Sequence, residues 1–354
     1  MSMFVIGYYA ALIATSCLAA YFKNRQIFML IFSLTLVSFV LGIIGGVSAL
    51  WAVTVFAGLL ALAAGTSYAF KEFLVQIASP NLAKELRTAP LTAAFGLFVI
   101  FTYAIAGIFA PWIAPHGEAE VISSAFAPAD ESMLLGADQL GRDVFSRIIY
   151  GARNTVGLAL VATILAFLIG AIAGLLSAVK GGWFDQIMGR VADVIMSVPS
   201  LIFALLILSI FGTNLWVIVI VVAVIYSPRV FRLTRAVAGN IVVMDYIEAA
   251  RLRGEGDWYL IRKEILPNST APLVAEFGLE FCFVFLLIAG LSFLGLGIQP
   301  PTADWGSMVR ENATLISFGD ITPLIPAAAI ALLTVAVNFV VDWMLFRSSG
   351  LKEQ

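Results

Sequence analysis

Residues 155–179 read TVGLALVATILAFLIGAIAGLLSAV and contain no charged side chain. A helix needs about 20 apolar residues to cross a hydrocarbon core of about 30 Å, so this run is long enough to span a bilayer. In lipid, a spanning segment must satisfy its backbone hydrogen bonds internally, and a continuous apolar run does so as a helix. The stretch therefore predicts an all-α, polytopic membrane protein.

Similar apolar runs recur along the chain and predict nine transmembrane spans. Apolar residues make up 61% of the 354 residues and charged residues only 12%, with a mean hydropathy of +1.02. Such a chain cannot bury its apolar surface in one water-soluble core, which excludes an ordinary soluble domain. The predicted spans are residues 3–22, 27–46, 49–70, 91–111, 155–179, 191–211, 214–233, 271–296 and 321–346.

The basic residues are divided unequally between the two sides of this arrangement. If the amino terminus lies outside, 16 of the 20 Lys and Arg residues fall on the inner side of the membrane. Positive residues collect on the cytoplasmic side of membrane proteins. We therefore expect the carboxy terminus and the polar segment around Glu248 to be cytoplasmic. With basic residues separated by side and a net charge of −2, nucleic-acid binding has no support.

A polar interruption over residues 71–90 separates the first three spans from the other six. We interpret it as the boundary between an amino-terminal extension and a core. The predicted parts are a three-helix membrane extension over 1–70, a cytoplasmic linker over 71–90, a core over 91–347 and a cytoplasmic tail over 348–354.

Two polar loops interrupt the core. The external loop over 112–154 contains several prolines, which argue against one long helix, and residues 138–153 predict a short amphipathic helix. The cytoplasmic loop over 240–268 contains the sequence DYIEAARLRG at 245–254. It is a polar segment between two apolar spans, which favours a docking element for a soluble partner.

The cytoplasmic loop predicts a helix, a turn and a second helix. Glu248 lies on the first helix, which Gly254 can end because glycine tolerates the left-handed conformation at a helix terminus. Residues 258–265 form the second helix, which we expect to stop near Pro267 because proline lacks an amide hydrogen and restricts the residue before it.

The surface of the first helix is suited to docking. Ala249 and Ala250 would give an exposed, low-relief surface that can enter a groove, and Glu248, Arg251 and Arg253 offer charge pairing that fixes the register. The alternative is an ordinary polar loop whose charges keep it in water. Residue spacing alone leaves both interpretations open.

The external loop contains a second group of candidate functional residues. Asp138, Gly141, Arg142 and Asp143 of the external loop predict either a contact with an external binding protein or gate, or carboxylates that cap a short helix. Both interpretations remain open.

Glu276 and Glu280 are four residues apart within a predicted span and therefore share a helix face. Charged residues in spans are costly and are functional candidates for that reason, so this pair could line a pathway and meet a cationic peptide terminus. The alternative is that they lie near the cytoplasmic end, reach water or pair with an arginine of the loop. Asp193 lies near Arg190, which favours an interfacial ion pair.

The run Glu248-Ala249-Ala250, followed by Gly254 and by Leu266-Pro267, resembles the signature loop of permease subunits in ATP-binding-cassette importers. The likeness extends over most of residues 91–347 and is to the dipeptide, oligopeptide and nickel branch. The matching stretches are Leu135–Arg153, Asp193–Ser200, Glu248–Gly254, Leu266–Pro267, Leu291–Gly297 and Gln299–Gly306.

The resemblance implies a six-span permease core in a bacterial inner membrane, here preceded by three extra spans. It also implies four kinds of partner: a second homologous permease, two cytoplasmic ATPases, an external substrate-binding protein and membrane lipid. An ATPase would grip the helix of Glu248, Ala249, Ala250, Arg251 and Gly254 and drive alternating access. Peptides are the expected substrate, with nickel, glutathione, sugars and opines left open.

The chain is not expected to be an enzyme or to hold a cofactor. No lysine follows a glycine, so the phosphate-loop pattern is absent, and ATP and Mg would be bound by the partner ATPases. One histidine in the whole chain excludes a zinc site of the H-E-x-x-H type. The competing function is a secondary transporter driven by an ion gradient, with Glu276, Glu280 and Asp342 as ion ligands.

Overall fold

The computed structural model describes Ser38, Val55 and residues 58–348. The chain divides into two compact units, Met1–Phe73 and Leu74–Gln354. Apart from Ser38 and Val55, the predicted spans at 3–22 and 27–46 and residues 49–57 of the third span lie outside the described residues, as does the tail after residue 348. Residues 58–77 are helical.

The second unit is built from helices. Among its described residues, β structure is limited to two isolated bridges, Val121–Arg142 and Ala137–Asp143. Two π-helical turns, Ala152–Val156 and Leu260–Ile265, and a 3₁₀ turn, Ala313–Phe318, join neighbouring helices. The helices are α1 (Pro80–Thr88), α2 (Leu91–Ile108), α3 (Ala110–Ile113), α4 (Val144–Gly151), α5 (Gly157–Lys180), α6 (Gly182–Met196), α7 (Ser200–Phe211), α8 (Leu215–Val242), α9 (Asp245–Leu252), α10 (Asp257–Tyr259), α11 (Leu266–Phe293), α12 (Trp305–Asn312) and α13 (Leu324–Ser348).

Five helical segments of the described residues are long and apolar enough to cross a membrane, and a bent pair makes a sixth if it counts as one span. The prediction of an all-helical polytopic membrane protein is therefore confirmed, and the core has six spans when the bent pair is counted as one. The five segments are Leu91–Ile108, Val144–Lys180, Leu215–Val242, Asp257–Phe293 and Leu324–Arg347.

The bent pair corrects the predicted continuous span over 191–211. Helices α6 and α7 meet at an angle of 84° around Pro199. Proline lacks an amide hydrogen and disfavours helical geometry in the preceding residue, so the chain changes direction there. The prediction of one continuous span at this position is wrong.

The amphipathic helix predicted over 138–153 begins later and does not end where expected. Gly141 has a φ of +76°, outside helical geometry, and Asp143 caps the helix that starts at Val144. That helix continues through the π turn into α5, so Val144–Lys180 is a single helical segment of 37 residues. Residues 144–154 of the predicted external loop are therefore the first turns of a long helix.

The second helix of the predicted cytoplasmic loop does not stop at Pro267. Pro267 lies at the start of α11, and Asp257–Phe293 is one helical segment. Proline is tolerated in the first turn of a helix, and the π turn just before it displaces the backbone bonds that its ring would otherwise disrupt. The loop is thus joined directly to the long spanning helix α11.

Glycines let α5 and α8 approach closely. A Cβ on Gly170 would lie 2.5 Å from the carbonyl oxygen of Ser227, and a Cβ on Gly174 would lie 2.8 Å from Thr234 Cβ. The two glycines are four residues apart and so share one face of α5. Small residues with this spacing allow membrane helices to pack backbone to backbone. The α5–α8 pair is therefore a closely packed unit of the core.

Candidate functional site

Helix α9 is anchored at the Lys180 end of the long helical segment, on one side only. Ile247 and Ala250 have no exposed surface and pack into a buried apolar cluster, here called the anchor cluster. Arg251 Nη2 donates a hydrogen bond of 3.4 Å to the carbonyl oxygen of Val179. The other members of the anchor cluster are Leu175, Val179, Ala238, Leu260, Ile261 and Ile265.

The anchor cluster connects α9 to three spanning segments, because its members belong to α5, α8 and the π turn before α11. A force applied to α9 would therefore be passed to all three. This connection depends on apolar packing, which resists deformation because protein interiors are close-packed.

The other side of α9 faces solvent. Glu248, Ala249, Arg251 and Arg253 are exposed, whereas Ala250 is buried, so only one of the two alanines forms the surface that the sequence predicted. Leu252 is 83% exposed and is the most protruding apolar side chain of the helix. The exposed side combines charges with one large apolar contact, a composition typical of a docking surface.

The turn after α9 has the geometry that glycine favours. Gly254 has a φ of +84°, and its N–H donates to the carbonyl oxygen of Arg251 at 2.9 Å. The N–H of Glu255 donates to the carbonyl oxygen of Ala250 at 3.2 Å. These bonds satisfy carbonyls that the end of the helix leaves free.

Residues 266 and 267 lie at the first turn of α11, and both are exposed. They directly follow the π turn that contributes to the anchor cluster, so they are connected to α9 through that packing. Three exposed apolar residues of the same region, Val243, Leu252 and Trp258, were missed by sequence reasoning. An apolar residue in a polar loop was the available signal, but it does not distinguish an exposed side chain from a buried one.

A buried ionic cluster lies at the opposite end of the long helical segment. Arg142 Nε donates to Asp138 Oδ2 at 2.7 Å, and Arg142 Nη2 donates to Glu311 Oε2 at 3.0 Å. Arg147 lies beside the same two carboxylates, at 3.4 Å from Asp138 Oδ2 and 3.6 Å from Glu311 Oε2. All four side chains are at least nine-tenths buried. Two positive and two negative charges therefore balance inside the fold.

Of the external residues that the sequence singled out, Asp138, Arg142 and Asp143 are buried and bonded within the chain. Asp143 accepts hydrogen bonds from the N–H groups of Phe145 and Ser146, which is the helix-capping role. Gly141 is also buried, and a Cβ there would collide with the backbone of Ser123. These side chains hold the loop together and offer no surface to another protein in this conformation.

Arg147 and Glu311 complete the ionic cluster, and sequence reasoning did not select them. Arg147 Nη1 also donates to the carbonyl oxygen of Glu118 at 2.8 Å. Glu118 Oε2 in turn accepts from Asn154 Nδ2 and from the Ala303 N–H, each at 2.9 Å. No local signal identifies Glu311 as a partner, because it is 169 positions from Arg142 in the chain.

The two acidic residues of α11 have different environments. Glu280 is 2% exposed, and its Oε2 has no hydrogen-bond partner. Glu276 is partly exposed, and Arg229 of α8 acts electrostatically on both carboxylates. The arginine that sequence reasoning sought in the cytoplasmic loop is thus on a spanning helix.

The ion-ligand arrangement of the competing function is not assembled. Asp342 is exposed near the end of α13, whereas Glu280 is buried on α11. Among the described residues no group of three or more acidic, histidine or cysteine side chains is placed to hold a metal ion. Asp193, expected to pair with Arg190, instead pairs with Arg232 of α8.

Comparisons with known proteins identify the family of the chain. The family described as "Binding-protein-dependent transport system inner membrane component" matches residues 166–348. A probable D,D-dipeptide transport system permease protein of Escherichia coli is 32% identical over 263 residues, which cover 74% of this chain and 88% of that protein. A di/tripeptide transport system permease protein of Pseudomonas aeruginosa is 34% identical over 254 residues, 70% of this chain and 84% of that protein.

A glutathione transport system permease protein of Pectobacterium atrosepticum is 34% identical over 257 residues, 71% of this chain and 84% of that protein. A solved structure titled as an amino acid ABC transporter with histidines has a TM-score of 0.44 at 23% identity, covering 58% of this chain and 94% of that one. By its family match and its relatives over two thirds of its length, the chain belongs to the binding-protein-dependent transport system inner membrane components and is a multi-pass inner-membrane permease.

Proposed function

We propose that the chain imports peptides as one of two permease subunits, driven by two cytoplasmic ATPases and supplied by an external substrate-binding protein. ATP and Mg are bound by the ATPases, and the carboxy terminus lies in the cytoplasm. Peptide as the substrate class is supported by relatives named for D,D-dipeptides, di/tripeptides and glutathione, which is itself a tripeptide.

The observation that carries the proposal is the two-sided environment of α9. Its inner side is anchored by Ile247 and Ala250, and its outer side presents Glu248, Arg251 and Leu252 to solvent. An ATPase that grips the outer side would move α9, and the anchor cluster would pass that movement to α5, α8 and α11. Docking through one protruding apolar side chain and flanking charges gives both affinity and register.

The test uses the complete complex in liposomes, with the rates of ATP hydrolysis and peptide uptake measured together. Glu248→Arg reverses a charge on the docking side, and Leu252→Ala removes its apolar contact. Loss of an interface anchor of this kind costs about 2 kcal/mol or more, which is about 30-fold in binding. We expect hydrolysis stimulated by the binding protein and uptake to fall together in both variants.

The matched control is Glu131→Arg, which reverses an exposed glutamate of the loop before α4. It is expected to leave both rates unchanged. The proposal is overturned if the α9 variants assemble normally and uptake persists, above all if that uptake follows a proton gradient and not ATP.

A further inference from the structure

A polar groove of about 600 Å³ lies beside the anchor cluster, between the end of α5, helix α6 and the last turns of α8. It is separate from the docking side of α9 and from the buried ionic cluster. Its volume falls within the range of about 300–1,000 Å³ that small-molecule sites occupy. Its chemistry is set by Ser177, Asp185, Asp193, Arg232, Arg235 and Asn240.

Two ion pairs cross the groove from α6 to α8. Arg232 pairs with Asp193, and Arg235 pairs with Asp185. The side chains of Arg232, Asp193 and Arg235 are about half exposed, at 51%, 55% and 46%. The Arg232–Asp193 pair, exposed on both sides, contributes only about 0–1 kcal/mol, so a charged ligand can displace one partner at little cost. Asp185 is only 17% exposed, so access to its carboxylate depends on movement of the exposed Arg235 side chain.

The groove also contains polar atoms that the chain leaves without partners. Ser177 is 1% exposed, and its Oγ has no hydrogen-bond partner. Asp185 Oδ2 is bonded to Arg235, but Asp185 Oδ1 has no partner. A buried polar atom without a partner costs about 1–3 kcal/mol, so a ligand that satisfies these atoms would recover that energy.

The spacing of the charges fits a short zwitterion. Asp185 and Asp193 are eight residues apart on α6, or about 12 Å along its axis. Arg232 and Arg235 are three residues apart on α8 and so face the same way. An extended di- or tripeptide is about 7–11 Å long. The longer of these lengths approaches the spacing of Asp185 and Asp193 along α6, so one such molecule can extend from one ion pair toward the other.

We propose that this groove binds the transported peptide at the α9 end of the permease, with its ammonium group on Asp185 and its carboxylate on Arg232. The assignment rests on the proposed peptide function. Displacement of the Arg235 side chain opens both oxygens of Asp185, including the one without a partner. Ser177 then hydrogen-bonds the peptide backbone. The groove selects for free termini, and not for side chains, which suits a permease of mixed peptides.

The test measures equilibrium binding of radiolabelled Ala-Ala to the whole complex in nanodiscs, without the external binding protein. N-acetyl-Ala-Ala and Ala-Ala-amide are the capped probes. Each cap is expected to weaken binding at least tenfold. Asp185→Asn should weaken the binding of Ala-Ala to the same extent but should not weaken the binding of N-acetyl-Ala-Ala any further. Arg232→Gln should likewise weaken the binding of Ala-Ala but not further weaken that of Ala-Ala-amide.

Two further variants separate recognition from folding. Asp185→Glu keeps the charge and is expected to bind Ala-Ala nearly as well as the wild type. Glu85→Gln breaks an exposed ion pair with Arg347 that lies outside the groove, and it should leave Ala-Ala binding unchanged. If free and capped peptides bind alike, or Asp185→Asn binds Ala-Ala normally, the proposal is overturned.

The same experiment distinguishes a peptide from a lipid headgroup as the occupant of the groove. It also separates a failure of this inference from a failure of the proposed function. Nanodiscs of phosphatidylglycerol alone are compared with discs that contain phosphatidylethanolamine, a zwitterionic lipid. If phosphatidylethanolamine abolishes Ala-Ala binding, the groove belongs to the headgroup and the proposal is overturned. ATP-dependent uptake is measured in parallel. If the wild type takes up no peptide, the proposed function fails; if uptake is normal and the groove variants bind normally, only this inference fails.

Discussion

Arg142 Nη2 donates a hydrogen bond of 3.0 Å to Glu311 Oε2, and the two residues are 169 positions apart in the chain. The bond joins the loop before α4 to helix α12. Since Arg147 and Asp138 are buried in the same cluster, the loop and α12 are held as one body at this end of the molecule.

Loss of the Glu311 carboxylate should destabilise this end strongly. Glu311→Gln leaves two buried guanidinium groups with one carboxylate, and removing one partner of a buried pair costs about 3–5 kcal/mol. We expect a lower thermal unfolding midpoint for the purified protein. Glu131→Gln, which neutralises an exposed glutamate, is the control and should have no effect. Equal midpoints for both variants would show that the buried cluster adds little.

Gly254 and Gly256 allow the turn after α9 to be tested with a matched pair. Neither has an atom within 4 Å of an added Cβ, so neither substitution creates a clash. Gly254 has a φ of +84°, whereas Gly256 has a φ of −79°. Alanine in the left-handed region costs about 1–2 kcal/mol. We expect Gly254→Ala to lower stability and reduce coupled ATP hydrolysis, and Gly256→Ala to change neither; the reverse order would contradict the turn geometry.

Gly151 and Gly157 form a second matched pair on the long helical segment. A Cβ at Gly151 would lie 2.5 Å from Trp305 Nε1, and Trp305 has no exposed surface. Gly157 has no atom within 4 Å of an added Cβ. Gly151→Ala should destabilise the protein by about 1–3 kcal/mol through overpacking. Gly157→Ala should be neutral or stabilising by up to about 1 kcal/mol. Denaturant unfolding measures both, and a harmless Gly151→Ala would refute the close packing.

Asp304 predicts a specific pH dependence. Burial raises the pKa of its carboxyl above the ordinary 3.8, while hydrogen bonds from Ser307 and Thr155 act against that rise. A carboxyl with a raised folded pKa contributes stability that is fully present below its unfolded pKa and is lost as pH rises through the folded pKa. Ionisation of Asp304 should lower the free energy of unfolding of the wild type as the pH rises above 3.8. Asp304→Asn cannot ionise at this position and should not show that decrease.

Asp130 supplies a control of opposite sign. The Ser132 hydroxyl and the N–H groups of Met133 and Ser132 hold the pKa of its carboxyl below 3.8. Its contribution is present above that pH and is lost as the pH falls. Unfolding midpoints are measured from acid to neutral pH for the wild type and both variants. As the pH rises, Asp304→Asn should gain stability relative to the wild type, whereas Asp130→Asn should lose stability relative to it. Parallel curves for wild type and Asp304→Asn would contradict the assignment.

Features encoded in short windows were predicted well from sequence. The apolar runs identified spanning helices, and Gly254 was correctly expected to end a helix. The errors occurred where local rules were overridden. Pro267 was expected to end a helix, but it lies in the first turn of α11, where proline is tolerated. The span over 191–211 was expected to be continuous, but it is bent at Pro199.

The sequence by itself determined that the chain is helical and membrane-spanning, because hydropathy and turn geometry are properties of neighbouring residues. Only the tertiary structure decided that Ala250 faces inward while Ala249 faces outward, that Glu311 completes the charge balance of Arg142, and that Asp185 lies in a groove opposite Arg235. Burial and ion pairing depend on which distant segments meet. That depends on the packing of whole helices, which no short stretch of sequence contains.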